Sequence, residues 1–164
     1  MRVYIPATFS MLASLQDNGL IHARNGWAFA ATSALHDFFT SGDKEEIEAV
    51  AFDDAALASI RLLAIGDEER FPHRRVVISA DVEATEDPEM GESVVKLAGP
   101  VELEQVAAIH VDIEEAEEAT AKAIEVVDAA DLGDEDAELA VGDAQDNYMA
   151  FYDPSELAFL VELL

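Results

Sequence analysis

Residues 75–112 read RVVISADVEATEDPEMGESVVKLAGPVELEQVAAIHVD. Val76, Val77, Ile78, Ala80 and Val82 make a run that is apolar on both faces, which predicts a central strand covered from both sides. Ser93–Ala98 reads as the next strand, closed by Gly99-Pro100, and Val106–Val111 as the one after. Between the first two lies an acidic stretch, expected to be a loop near 84–92 and a place for local disorder. Three strands follow one another without an intervening helix. That succession favours an α+β fold with a mixed sheet over a purely parallel, doubly wound one.

Upstream, Arg2–Pro6 predicts a strand, and Thr8 or Ser10 can cap a helix from Phe9 to Gln16, ended by Asp17-Asn18-Gly19. Trp27–Ala31 predicts a second strand and a short helix runs on to Phe39. Asp43 with Glu46 forms a capping-box pattern, and Asp53 is expected to recap a further helix that ends at Gly66. Downstream, Asp112 with Glu115 suggests another box, opening a helix to about Ala129 whose apolar face includes Thr120, Ala123 and Val127. An acidic helix starts near Asp134, Tyr148–Tyr152 predicts a sixth strand, and Asp153-Pro154-Ser155-Glu156 is a strong helix start. Leu157 to Leu164 leave almost no polar face, so that helix must be buried in its own fold or against a second copy, a homodimer through residues 154–164. The reading is a single α+β domain over 1–164, with a mixed five- to six-stranded sheet flanked by helices.

The 164 residues include 36 Asp and Glu against 9 Lys and Arg, a formal charge of −27, and no cysteine. Without cysteine there is no disulfide framework, thiolate metal site or cysteine nucleophile. So negative a chain is not expected to bind nucleic acid or an anionic membrane directly. Leu, Ile, Val and Phe supply 46 of the residues, too many for a disordered chain. The opening MRVYIPAT reads as a strand, not a signal peptide, and no apolar stretch approaches the roughly 18 residues of a membrane span. The expectation is a cytoplasmic protein.

The charge is uneven: residues 1–80 hold 11 acids and 7 Lys or Arg, residues 81–164 hold 25 and 2. Glu114, Glu115, Glu117, Glu118 and Glu125 lie on their predicted helix away from its apolar stripe. Such a face either keeps the protein soluble or docks on a basic protein partner; the imbalance exceeds the net charge of about 2–8 that solubility needs. The one basic cluster, Arg70, His73, Arg74 and Arg75, either binds an anion or neutralises acids of the same molecule.

Tests for chemistry leave little. Neither Asp134 nor Asp143 starts an EF-hand loop with Gly at the sixth and Glu at the twelfth position, and the four histidines are too far apart for a zinc motif. Phosphate-binding glycine loops and a GxSxG elbow are absent. No metal or cofactor is expected. The best constellation for an enzyme or a metabolite-binding domain combines Thr8, Thr32, His110 and Asp112, with Ser10 and Ser33, near the carboxyl ends of predicted strands. Each of Thr8, Thr32 and Asp112 also has a sufficient explanation as a cap.

MRVYIPAT (1–8), RRVVISADV (74–82), GPVELEQVAAIHVD (99–112) and DEDAELAVGDAQDNYMAFYDPSEL (134–157) together resemble a family of uncharacterised actinobacterial proteins, a domain of unknown function. The resemblance implies a bacterial cytoplasmic protein and carries over no site residues. The leading expectation is a non-enzymatic binding or regulatory protein whose acidic second half engages a basic surface, with nucleic-acid mimicry as a special case. The alternative is the strand-end pocket.

Overall fold

The computed structural model describes residues 1–39, 41–66 and 71–162. The apolar run Val76–Asp81 (β4) lies inside a seven-stranded sheet. Arg2–Ala7 (β1) pairs along one side of it, from Arg2 opposite Asp81 to Ala7 opposite Val76, and Val106–Asp112 (β8) pairs along the other. Beyond β1 come Trp27–Phe29 (β3), Val94–Leu97 (β6) and Ala84–Glu86 (β5); beyond β8 comes Met149–Tyr152 (β9). Leu20–Ile21 (β2) and Val101–Glu102 (β7) form a separate two-stranded sheet.

The α+β class is as expected, but the sheet differs from a mixed one of five or six strands. Every pair among the described residues is antiparallel. A single crossover helix would return the chain for a parallel strand. Here a helical hairpin, Glu117–Asp131 (α4) with Glu135–Gln145 (α5), joins β8 to β9 and brings the chain back where it left, so β9 runs antiparallel. The additional strand, β5, comes from the stretch expected as an acidic loop: Ala84, Thr85 and Glu86 pair with Leu97, Lys96 and Val95.

One face of the sheet carries Phe9–Asn18 (α1) and Leu157–Glu162 (α6). Phe9, Leu12, Leu15, Leu157 and Leu160 pack there against Val3, Ile5, Ile78 and Ile109, each such side chain contributing about 1.5–3 kcal/mol when fully buried. Thr8 caps α1 by accepting the Met11 N–H at 3.3 Å, and Gly19 closes it at φ 74°, where a side chain would be strained. The C-terminal apolar helix thus sends Leu157 and Leu160 into its own core while Phe159 stays exposed; Leu163 and Leu164 lie outside the described residues.

The opposite face carries Ser33–Phe38 (α2) and Lys44–Ile65 (α3), which bury Leu35, Ile47, Ala51, Ala55 and Ala56 against Tyr4 and Val77. Asp43 caps α3 as predicted, with Glu46 N–H at 2.9 Å, but the helix runs unbroken through Asp53. No Gly or Pro interrupts it, and an interior Asp costs only about 0.5 kcal/mol in propensity, less than its packing contributes. The α4–α5 hairpin then stacks on α3, with Ile60, Ala123, Val127, Val141 and Ala144 forming a third cluster.

Candidate functional site

Small residues let α4, α5 and α3 approach closely, and the same spacing turns the acids outward. In α4 the buried positions are Thr120, Ala123 and Val127, in α5 Ala137, Ala140, Val141 and Ala144. Glu114, Glu115, Glu118 and Glu125 are exposed, and among the described residues none of the four has an ion-pair partner. The first three crowd the N-terminal end of α4, where the helix dipole favours anions. Glu117 departs from the predicted face: it is half-buried and accepts a hydrogen bond from Arg74 Nε at 2.9 Å. Between the two helices runs a groove of about 380 Å³ lined by Glu115, Glu118, Lys122, Asp143 and Asn147.

Two arginines of the basic cluster are taken up by acids of the same molecule. Arg74 is tied to Glu117, His73 is exposed, and Arg70 lies outside the described residues. Arg75 is buried against Asp112: its Nη2 donates to Oδ1 at 2.7 Å, its Nε to Oδ2 at 3.0 Å and its backbone N–H to Oδ2 at 2.8 Å. Nη1 donates to Gln145 Oε1 at 2.8 Å and Nη2 to the Asn147 carbonyl at 3.0 Å, while Thr120 Oγ1 donates to Asp112 Oδ2 at 3.2 Å. Asp112 therefore does not cap α4; its carboxylate is taken up by Arg75 and Thr120. It ties β8 to Arg75 at the start of β4 and to Thr120 of α4, and Arg75 carries the link on to Gln145 at the end of α5. Thr120, a hydroxyl inside an apolar stripe, was the available signal in the sequence for a buried polar partner.

The remaining members of the predicted pocket stay apart. Thr32 caps α2 through the Leu35 N–H at 3.1 Å and donates to the Glu92 carbonyl, while Ser33 binds the Glu86 carboxylate. Because β3 is antiparallel to β1, its carboxyl end lies at the opposite end of the sheet from Thr8 and Asp112. Three strand spacings, about 14 Å, also separate β3 from β8. None of the four lines the groove between α4 and α5 or the cleft at the end of α1.

His110 instead sits beneath α3, with Nε2 2.8 Å from Ser79 Oγ and its ring edge-on to Phe52 at 4.8 Å. Next to it Tyr4 donates its hydroxyl to Glu48 at 3.2 Å, and burial, then the Glu48 charge, push the Tyr4 phenol up to about 12. Burial, and secondarily Arg2, push His110 down to about 4. The unfolded chain therefore takes up a proton on His110 near pH 6.5, whereas the folded one resists until about 4. Stability from this residue is complete above pH 6.5 and lost as pH falls toward 4. Between pH 7 and 5 the protein is expected to lose about 1–2 kcal/mol more than a His110→Gln variant. Urea unfolding of both at the two pH values measures it, and parallel pH profiles would count against the buried neutral ring.

A cleft of about 840 Å³ lies between the end of α1, the turn Leu103–Gln105, the start of β8 and Asp153–Ser155. A bulge puts Ala107 there, since Ser79 pairs with Ala108 but Ala80 with Val106. Glu102, Glu104 and Asp153 give the cleft its charge, and the Glu104 carboxylate raises the pKa of Glu102. Among the described residues no group of three or more His, Cys, Asp or Glu could hold a metal ion, and no helix is long and apolar enough to cross a membrane.

A family model described as a family of unknown function (DUF6912) matches residues 1–161. No curated protein and no solved structure matches the chain.

Proposed function

The chain belongs to the DUF6912 family of unknown function, and we propose that it is a non-enzymatic binding protein whose acidic helical hairpin docks on a basic protein surface. One observation carries this reading: Glu114, Glu115, Glu118 and Glu125 are exposed together, while the nearby arginines are engaged elsewhere, Arg74 with Glu117, Arg61 with Asp131 and Arg75 with Asp112, which leaves Lys122 as the one lysine of α4 beside four acids. A surface left unneutralised by its own arginines projects a field that speeds encounter with a partner of opposite sign and orients it. The hairpin is braced for that task by Arg75 and by the Gln145 side chain, which donates to the Asp53 carbonyl of α3 at 3.0 Å.

The test separates a docking face from a diffuse field. A basic protein recovered from lysate of the source cells is purified and titrated against three forms of the chain. One carries Gln at 114, 115, 118 and 125. A second carries the corresponding amides at the exposed Asp17, Asp37, Glu83 and Glu89, which changes the net charge equally. The first is expected to bind at least tenfold more weakly than wild type and with a shallower salt dependence, the second within threefold. Equal losses in the two would show that only total charge matters.

A further inference from the structure

The two edges of the sheet are built differently. At one edge, β5 is guarded as edge strands usually are: Glu83, Glu86, Asp87 and Pro88 cluster there, and the Glu86 carboxylate is held by Ser33. At the other, β9 is Met149-Ala150-Phe151-Tyr152; Asp153 and Pro154 follow it, as Asp87 and Pro88 follow β5, but the strand itself holds no charge where β5 has Glu86. An edge strand without a charge of its own is a template for another strand. Phe151 is 70% exposed and Tyr148, just before the strand, 63%. Among the described residues no backbone hydrogen bond reaches the outer side of β9.

Both ends of this edge open on acidic recesses. Asn147, two residues before β9, lines the groove between α4 and α5, where Glu115, Glu118 and Asp143 outnumber Lys122 three to one. Asp153, the residue after β9, lines the large cleft with Glu102 and Glu104. From Asn147 to Asp153 an extended chain spans about 20 Å.

We propose that β9 is the site where the basic partner adds an extended segment to the sheet, its apolar residues meeting Phe151 and a Lys or Arg at each end entering the two acidic recesses. The inference rests on the docking reading above and specifies its occupant. Main-chain pairing supplies affinity in this mode, and alternate side chains supply selectivity. Charge decides between a partner and a second copy. Two chains of −27 each, paired edge to edge, would set acidic recess beside acidic recess.

The probe is the heptapeptide acetyl-Arg-Val-Thr-Val-Thr-Val-Arg-amide, whose terminal arginines stand about 20 Å apart when extended. One control puts proline at its centre, keeping the charge while breaking the ladder; another has Glu at both ends. The arginine peptide is expected to bind at least tenfold more tightly than either control, to slow amide exchange at Met149–Tyr152, and to lose at least tenfold in affinity to a Phe151→Lys variant. A proline peptide that binds as well overturns the inference and leaves the hairpin reading standing. So does failure of all three peptides while the hairpin variant still loses its basic protein. If the hairpin variant also binds normally, both readings fall together. A wild-type dimer that Phe151→Lys dissolves in sedimentation equilibrium would name a second copy as the occupant and overturn it too.

Discussion

Replacing Asp112 with alanine is expected to remove about 3–5 kcal/mol of folding stability. The reason is what stays behind. Arg75 and Asp112 are both about 2% exposed, and without the carboxylate the guanidinium would remain buried with only Gln145 and the Asn147 carbonyl to face. The Arg75 backbone N–H and the Thr120 hydroxyl would lose an acceptor at the same time. Domains are usually stable by about 5–15 kcal/mol, so the variant should be partly unfolded well below the wild-type midpoint in urea. The double replacement Arg75→Met with Asp112→Leu is expected to cost less than the single one, because no uncompensated charge is left. Urea unfolding followed by Trp27 fluorescence measures all three proteins. A loss under about 1 kcal/mol for Asp112→Ala would mean that the site takes in water and is not the sealed ion pair the geometry describes.

That network also marks where the sequence stopped being readable. Local chemistry was legible: Thr8, Asp43 and Asp134 each accept the N–H three residues on, and Asp153 with Glu156 forms a capping box. These are contacts within one turn, so spacing alone specifies them. The run Val76–Ala80 was legible for a different reason, since burial on both faces leaves no room for polar alternation. Arg75 and Asp112 are 37 residues apart, and nothing in either neighbourhood says that they meet. Asp112 resembled a cap because an Asp before a Glu-rich helix usually is one; tertiary packing gave its oxygens better donors. The two-residue strands β2 and β7 are too short for any periodicity, and the direction of the sheet depended on α4 and α5 folding back as a pair. The acidic face could be read from charge and helical period, apart from Glu117, whose distance from Arg74 only the fold sets. The β9 edge was readable as a strand, but its position at the rim of the sheet was not.

The second large effect is expected from Ser59→Ala, a substitution that deletes one oxygen. Ser59 is fully buried in α3, where its hydroxyl donates to the Ala7 carbonyl at 2.8 Å and accepts the Val76 N–H at 3.0 Å. Ala7 and Val76 face each other at the last register position of the β1–β4 ladder, so the helix completes hydrogen bonds that the two central strands cannot finish themselves. Alanine fits the same space and favours the helix, which would make the change mildly stabilising on a helix surface. Inside, it leaves a carbonyl and an amide without partners, at about 1–3 kcal/mol each, for an expected total of about 2–4 kcal/mol. Two readouts distinguish this from a general loosening. Global stability in urea should fall by that amount, and the Val76 amide should exchange faster by more than the amides of α1, which packs on the other face of the sheet. A loss below about 0.5 kcal/mol with Val76 protection intact would show that water replaces the hydroxyl. The expected ordering is therefore the reverse of what side-chain size suggests, with one serine oxygen mattering as much to the sheet as a buried leucine, because a ladder end inside a protein has no solvent to fall back on.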